Sequence, residues 1–286
     1  MRVQTVLFET PVDTCARLVA AVGACAAVAV DEGSAATVTV AVGDCTPVAC
    51  LDDRQRTRVG RDSLVPVAWR VFGDNLGHGA AQNRLAADSD EDVLVMVNPD
   101  AYPAPTALHA LLVALDRPGV GMVDGRQIPV EVPKAVDPAT GDTPWCSGCF
   151  AALPRALFVR LGGFDEAFFL HGDDVDLSWR VRAEGLRTVY VPGAAVFHPR
   201  GVEPSGYATS NEVAAHHMHL SGLLRAWKAR RPDLVDELVA GTDRAGERWE
   251  RSANDEFRRR RDAGLLPVPY PFDASRYLAD VSARRF

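Results

Sequence analysis

Three carboxylates fall within four positions, at Asp173, Asp174 and Asp176, and a Gly- and Phe-rich stretch from Leu161 to Gly172 leads into them. Unpaired charges are costly to desolvate, so a fold has no need of such a cluster at the mouth of a helix. A site that handles a metal ion, or takes a proton from a hydroxyl, does need one. Part of the cluster has a structural explanation: acids in a first turn complement the helix dipole, and Asp176 is spaced to pair with Arg180 at i+4. The aromatic run Phe164 to Phe169 and the pair His171-Gly172 are left without one.

Other candidates stand at the ends of apolar runs. Asn98-Pro99-Asp100 follows VLVMV, and a hard oxygen ligand such as Asp100 can hold a divalent cation against a diphosphate. His198 ends AAVFH and could add a nitrogen to the same ion; mixed O/N ligation suits Mn²⁺ at least as well as Mg²⁺. Asp44 closes TVTVAVGD, where a carboxylate can accept from a base N–H or a ribose hydroxyl. From Asn75 to Asn83 the chain reads NLGHGAAQN; Gly77 and Gly79 allow close backbone approach, and a helix start favours phosphate. Taken singly, each of these also reads as a turn or a cap. No GxGxxG occurs, which argues against a dinucleotide-binding dehydrogenase.

These residues need a scaffold that brings strand ends together. Val3–Phe8, Thr37–Val42, Val65–Phe72 and Val93–Val97 read as strands, and helices are expected from Asp13, as a cap, to about Val30, over Asn75–Ala87 and over Pro105–Leu115. Such alternation predicts an α/β fold with a mostly parallel sheet covered on both faces by helices. From about Val120 to Thr143 four prolines between Pro129 and Pro144 predict loops and short strands. Further expectations are a strand over Cys149–Leu153, a helix over Pro154–Leu161, a helix over Asp173–Ala183 stopped by Gly185, and two short strands, Thr188–Val191 and Ala195–Phe197. A Gly/Pro/Ser linker, Gly201–Ser210, introduces a C-terminal α-helical extension: Asn211–Arg230, Pro232–Ala240, Asp243–Ala263 and a short last helix from Asp273.

Composition narrows the class. The chain has 286 residues, 47% hydrophobic and 24% charged, which suits one large globular domain or a domain plus an extension. A net charge of −7 argues against a general nucleic-acid binder. The longest nearly uncharged run, Leu18–Val30, reads as too short to cross a bilayer, and the first ten residues lack signal-peptide features, so a cytoplasmic location is expected. Six cysteines are then expected reduced; Cys146-Ser147-Gly148-Cys149 is a lone CxxC and reads as small residues packed near a pocket wall.

In order along the chain, Asn75-x-Gly-x-Gly-x-x-x-Asn83, Asn98-Pro-Asp100, Ser147-Gly148, Gly162-Gly-Phe-Asp-Glu166, Phe168 to Arg180 and His198 resemble a family 2 glycosyltransferase of the GT-A fold, nearest its rhamnosyltransferase-like branch. The resemblance spans roughly residues 1–200, giving a GT-A domain over 1–204 and the helical extension over 205–286. It implies an inverting transfer from a nucleotide-diphosphate sugar, UDP- or dTDP-linked, assisted by Mn²⁺ or Mg²⁺. The acceptor it implies is the hydroxyl of a saccharide or lipid-linked saccharide of the cell envelope. By position, Asp174 resembles the catalytic base with Asp173 beside it, and Asp100 and His198 resemble the metal ligands. Asp44, Asn75, Gly77, Asn83, Asn98, Asp100, Ser147 and Gly148 fall where the family meets its nucleotide-sugar.

Two other readings stay open. A non-catalytic relative would bind a nucleotide-sugar or a partner with the same fold. A hydrolase would need two acids about 5–10 Å apart across the scissile bond, and no second acid is marked. In the extension, Arg225–Arg231 and Arg258–Arg261 allow a weak association with an anionic membrane surface. Interspersed acids such as Asp233, Glu237, Asp255 and Glu256 favour a solvated helix face instead. His216, His217 and His219 do not share a helix face, and Trp145 suits either stacking on a sugar or packing. A homo-oligomer is compatible with the sequence.

Overall fold

The computed structural model describes residues 1–199, 212–275, 277 and 278. The first half alternates as expected: β1 (Arg2–Leu7), α1 (Val12–Asp31), β2 (Thr39–Asp44), α2 (Asp53–Arg61), β3 (Val67–Val71), α3 (His78–Ala87) and β4 (Val93–Val97). β1 lies between β2 and β4, parallel to both, and β3 is parallel to β2. Strands buried on both faces carry continuous apolar runs, as VLVMV of β4 does. All four therefore end on one edge, and that edge carries Asp44 and the Asn98–Asp100 turn.

α1 is long and apolar enough to cross a membrane. This corrects the expectation from Leu18–Val30, because the helix also takes in the flanking residues. In the fold, Cys15, Leu18, Val19, Val22, Cys25, Ala26 and Ala29 form a buried stripe at 3.6-residue spacing within the main core. Its N-cap is Pro11, with Asp13 in the first turn rather than capping. α2 was not foreseen; it buries only Val59, although Asp52 and Gln55 form a capping box at its start.

The second half is β5 (Tyr102–Pro103), α4 (Ala107–Leu115), β6 (Val120–Pro129), β7 (Phe150–Pro154), α5 (Arg155–Arg160), α6 (Asp173–Ala183) and β8 (Arg187–His198). β7 runs antiparallel between β4 and β6, β8 is parallel to β6, and β5 is antiparallel to β8, so the eight-stranded order is β3-β2-β1-β4-β7-β6-β8-β5. Two expectations are corrected. The segment from Val120 is a ten-residue strand, because the prolines lie at and beyond its end. β8 is one strand, because its pairing steps from Gly125–Val191 to Arg126–Ala195 and bulges out Pro192, Gly193 and Ala194. Gly125 admits this bend: a Cβ there would stand 2.3 Å from the Ala194 carbonyl oxygen.

The extension contains α7 (Glu212–Lys228), α8 (Pro232–Ala245) and α9 (Arg248–Asp262). The expected linker and the boundary between 204 and 205 lie outside the described residues. Leu220, Leu223, Leu224, Val235 and Phe257 form a core that also takes in Phe168. Trp179 of α6 packs with Tyr270 and Tyr277. The extension is thus built onto the helix that carries the acid cluster. Its basic runs are largely occupied: Lys228 is buried, Arg231 pairs with Asp233, Arg258 with Asp243, and Arg260 with Glu256. The three histidines diverge, His216 to Glu256, His219 to Asn254 and His217 onto Phe169.

Candidate active site

His171 and Gly172 both adopt positive φ, 65° and 77°, and this left-handed corner turns the chain into α6. It sets Asp173, Asp174 and Asp176 in the first turn with three different fates. Asp176 is 0% exposed and accepts from Arg180 Nε (2.8 Å), Lys228 Nζ (2.5 Å) and Tyr270 Oη (2.7 Å). It ties helices together. Asp173 is 3% exposed and lies 2.5 Å from His78 Nδ1.

Asp174 is less enclosed. Its Oδ2 accepts from the Gly148 N–H at 2.9 Å and its Oδ1 from the Val175 N–H at 2.8 Å. Burial and the neighbouring Asp173 carboxylate push its carboxyl above the ordinary range; the two amides and His78 pull the other way without cancelling this. For His78, burial disfavours the imidazolium, but the charge and hydrogen bond of Asp173, with Asp174, outweigh it and raise the pKa. Asp174, its carboxyl held up, thus stands beside the His78–Asp173 pair, an arrangement of perturbed groups typical of functional sites.

The Asn98-Pro99-Asp100 turn is closed by its backbone: Asn98 N–H donates to Cys149 O and Ala101 N–H to Asn98 O. Asp100 Oδ1 then lies 3.3 Å from His198 Nε2 at the end of β8. His198 is 2% exposed, and its Nδ1 is 3.0 Å from Gln127 Oε1. Gln127 Nε2 donates to Ser147 Oγ at 3.1 Å, which fixes Oε1 toward the histidine. Gln127 Oε1 thus holds the His198 ring by Nδ1 and leaves Nε2 facing the Asp100 carboxylate. A nitrogen and an oxygen so placed can share a cation, and the Gln127 carbonyl is the outer support that a metal-binding histidine uses. The donor set fits a divalent metal with Asp100 and His198 as ligands, its other positions left to substrate oxygens and water. Among the described residues no group of three or more His, Cys, Asp or Glu is gathered for a metal.

Ser147 and Gly148 join these two ends. Ser147 Oγ accepts from Gln127, and Gly148 N–H donates to Asp174, so polar contacts run from Asp100 through His198, Gln127 and the Ser147-Gly148 backbone to Asp174. Ser147 N–H also donates to Asp124 Oδ2 at 2.8 Å. Asp124 is buried against Lys134, whose ammonium lies 5.3 Å from the Trp145 ring centroid and 5.0 Å from that of Tyr190. Trp145 is thus a packing residue here. Burial raises the Asp124 carboxyl, and Lys134 offsets only part of that.

The remaining expected residues line or hold neighbouring loops. Asn75 Oδ1 accepts from Gly77 N–H at 3.2 Å. Gly77 has φ 75°, and a Cβ there would stand 2.4 Å from Phe169 O, which itself accepts from His78 N–H at 2.9 Å. Asn83 is committed to Phe164 and Glu166: Oδ1 accepts from Phe164 N–H at 2.8 Å, and Nδ2 donates to Phe164 O and Glu166 Oε1. Asp44 is 2% exposed, and its two oxygens accept from Thr46 and Cys50 N–H groups. Both side chains organise the loops in which they stand. Cys146 is fully buried, and burial pushes its thiol well above the ordinary range; Cys149 Sγ lies 3.2 Å from His198 Nδ1.

His78, Gln127, Asp124 and Lys134 were not foreseen from the sequence. His78 sits inside the glycine-rich motif, and only its pairing 95 residues away with Asp173 gives it a role. Removing it is expected to raise the Asp174 pKa further, since the imidazolium favours the carboxylate. In His78→Gln the acidic limb of a pH profile of kcat/KM should therefore move to higher pH. An unmoved limb would dissociate His78 from the base.

A family model described as "Glycosyltransferase like family 2" matches residues 131–213. The N-acetylglucosaminyl-diphospho-decaprenol L-rhamnosyltransferase of Mycobacterium tuberculosis is 30% identical over 192 residues, 51% of this chain and 62% of that protein. The chain thus spans about three-fifths of that relative's length. Rhamnosyltransferase WbbL of Escherichia coli is 39% identical over 54 residues, 19% of this chain and 20% of that protein. Among solved structures, the mannosyltransferase PcManGT of Pyrobaculum calidifontis, in complex with GDP-Man and Mn²⁺, aligns at TM-score 0.58 and 15% identity over 99% of this chain and 85% of its own. Staphylococcus aureus TarS 1–349 aligns at TM-score 0.57 and 12% identity over 90% and 91%. The chain therefore has the GT-A fold, and its residues 131–213 are similar to glycosyltransferase family 2.

Proposed function

We propose that this chain transfers a sugar, with inversion, from a nucleoside-diphosphate donor to a hydroxyl of a diphosphate-linked saccharide acceptor. The observation that carries the reading is the single run of polar contacts joining Asp100–His198 to Asp174. Transfer needs both ends at once: charge neutralisation where the diphosphate leaves and a base where the acceptor enters. Asp174 removes the acceptor proton, and the freed oxygen lone pair forms the new bond to the anomeric carbon. The bond from that carbon to the diphosphate breaks on the opposite face, and its electron pair leaves with the nucleotide. Asp173 and His78 hold charge beside the base, and Gly148 N–H orients its carboxylate.

Asp100 and His198 would hold the metal, which when bound supplies Lewis-acid neutralisation of the diphosphate. Asn75, Gly77, Asn98, Ser147 and Gly148 shape the donor side. The nature of the acceptor is drawn from the mycobacterial relative, named for N-acetylglucosaminyl-diphospho-decaprenol. UDP- and dTDP-sugars are the donors to screen first, with residues 1–204 as the catalytic unit and 205–286 as an extension on the acceptor side.

Thermal unfolding with UDP, dTDP and GDP, each with and without Mn²⁺, tests this. A ligand at 100 times its Kd stabilises by about 2.7 kcal/mol, on the order of 5 °C for a chain of this size. One nucleotide is expected to give such a shift only with Mn²⁺, and His198→Ala should remove it. No shift with any nucleotide at millimolar concentration would favour a non-catalytic relative.

A further inference from the structure

Arg225 of α7 stands directly over the corner that opens α6. A Cβ at Gly172 would lie 2.4 Å from its Nη1 and 2.6 Å from Ser221 Oγ, so only a glycine lets the guanidinium approach this close. Nη1 donates to Ser221 Oγ at 3.0 Å. Among the described residues the buried Nε has no hydrogen-bond partner and no carboxylate oxygen lies within 4.0 Å of the guanidinium. The neighbouring cations differ: Lys228 takes Asp165 and Asp176, and Arg180 takes Asp176. Burial lowers the Arg225 pKa, with Tyr270, Asp174 and Asp176 acting in the opposite sense.

A guanidinium half-removed from water, with no carboxylate of the described residues paired directly to it, is costly unless an anion arrives. Its planar fork matches phosphate oxygens two at a time. The site approaches the acid turn from the extension, through Gly172, whereas Asp100 and His198 reach Asp174 from the sheet through Gly148. The two cationic provisions thus enter from different elements, which suits two different phosphates.

We infer that Arg225 receives a phosphate oxyanion of the acceptor, the diphosphate next to the sugar whose hydroxyl meets Asp174. This rests on the transferase reading above and adds a substrate-binding residue supplied by the extension. A nucleotide donor offers the same chemistry, so the test separates the two sources.

Calorimetric titration of inorganic diphosphate in EDTA silences the metal-dependent site. Wild type is expected to bind, Arg225→Gln to bind at least tenfold more weakly, Arg225→Lys to fall between them, and His198→Ala to match wild type. In Mn²⁺, Arg225→Gln should bind UDP, or whichever nucleotide the melts select, as wild type does. Metal-free diphosphate binding that is absent in wild type, or unchanged in Arg225→Gln, overturns the inference. Loss of Mn²⁺-dependent nucleotide binding in a folded Arg225→Gln overturns the acceptor assignment and gives the phosphate to the donor. Should the Gln variant fail to melt cooperatively, the Lys variant decides: full diphosphate affinity there overturns the fork argument. The transferase reading fails separately, when wild type itself shows no Mn²⁺-dependent nucleotide shift.

Discussion

Asp174→Asn is expected to lower kcat by about 10²–10⁴-fold, the usual worth of a positioned base, while Mn²⁺-dependent nucleotide binding stays within about twofold of wild type. The carboxamide keeps the size of the carboxylate and can still accept from Gly148 N–H at the same point. What it loses is the capacity to take a proton, together with the local acceptor of the Val175 N–H. The wild-type pH profile should show an acidic limb above the ordinary carboxylate range, because burial and Asp173 hold the Asp174 pKa up and activity falls as the carboxylate is protonated. The same shift has a consequence for stability. A carboxyl whose pKa is raised on folding binds protons more tightly in the native state, so stability declines as pH rises from the unfolded pKa through the folded one. Asn carries no such penalty, which offsets the lost Val175 contact, and the variant should stay within about 1 kcal/mol of wild-type stability at pH 7. Turnover retained at the wild-type level would remove Asp174 from the base role. A larger loss of stability would show that the loss of activity came from misfolding.

Lys228→Met is the second large effect, and it falls on stability. Lys228 Nζ lies 2.5 Å from both Asp165 and Asp176, and 4.7 Å from the ring centroid of Tyr270. Removing one partner from a buried pair costs about 3–5 kcal/mol, because the other charge stays behind. Asp176 keeps Arg180 and Tyr270, which argues for the lower end. For a chain of this length that corresponds to a fall of roughly 5–10 °C in Tm. Burial works to raise the Asp176 pKa, but Arg180 and Lys228 outweigh it and hold it below the ordinary value. Its contribution to stability is therefore present above the unfolded pKa and lost as pH falls through the folded one. With one cation gone, that loss should begin at a higher pH in Lys228→Met. The double variant Asp176→Asn/Lys228→Met should lose less than the two single losses added, since no unpaired carboxylate remains at Asp176. Additive losses, or a change in Tm below about 1 °C, would show that the network does not hold α7 to α6.

The sequence by itself determined the local features of this protein. Apolar runs closed by Gly-Asp or Asn-Pro-Asp placed the parallel strands and put their ends on one edge. Acids followed by a 3.6-residue apolar pattern and Gly185 located α6 over Asp173–Ala183, the range found in the structure. These signals depend on neighbours within a turn or a strand, and a linear reading reaches that far. The tertiary structure alone decided which side chains meet. His78 joins the acid cluster only through Asp173, and Gln127 reaches it only through His198 and Ser147. That the oxygens of Asn83 and Asp44 accept from backbone N–H groups of the adjoining loops is visible only in the fold. β6 and β8 hid behind prolines and Pro192-Gly193 because a bulge is visible only once two strands are side by side. The basic run around Arg225 and Lys228 reads as solvated surface until α7 docks on α6. Burial then assigns one cation to Asp165 and Asp176 and leaves the other without a carboxylate partner beside the acid turn.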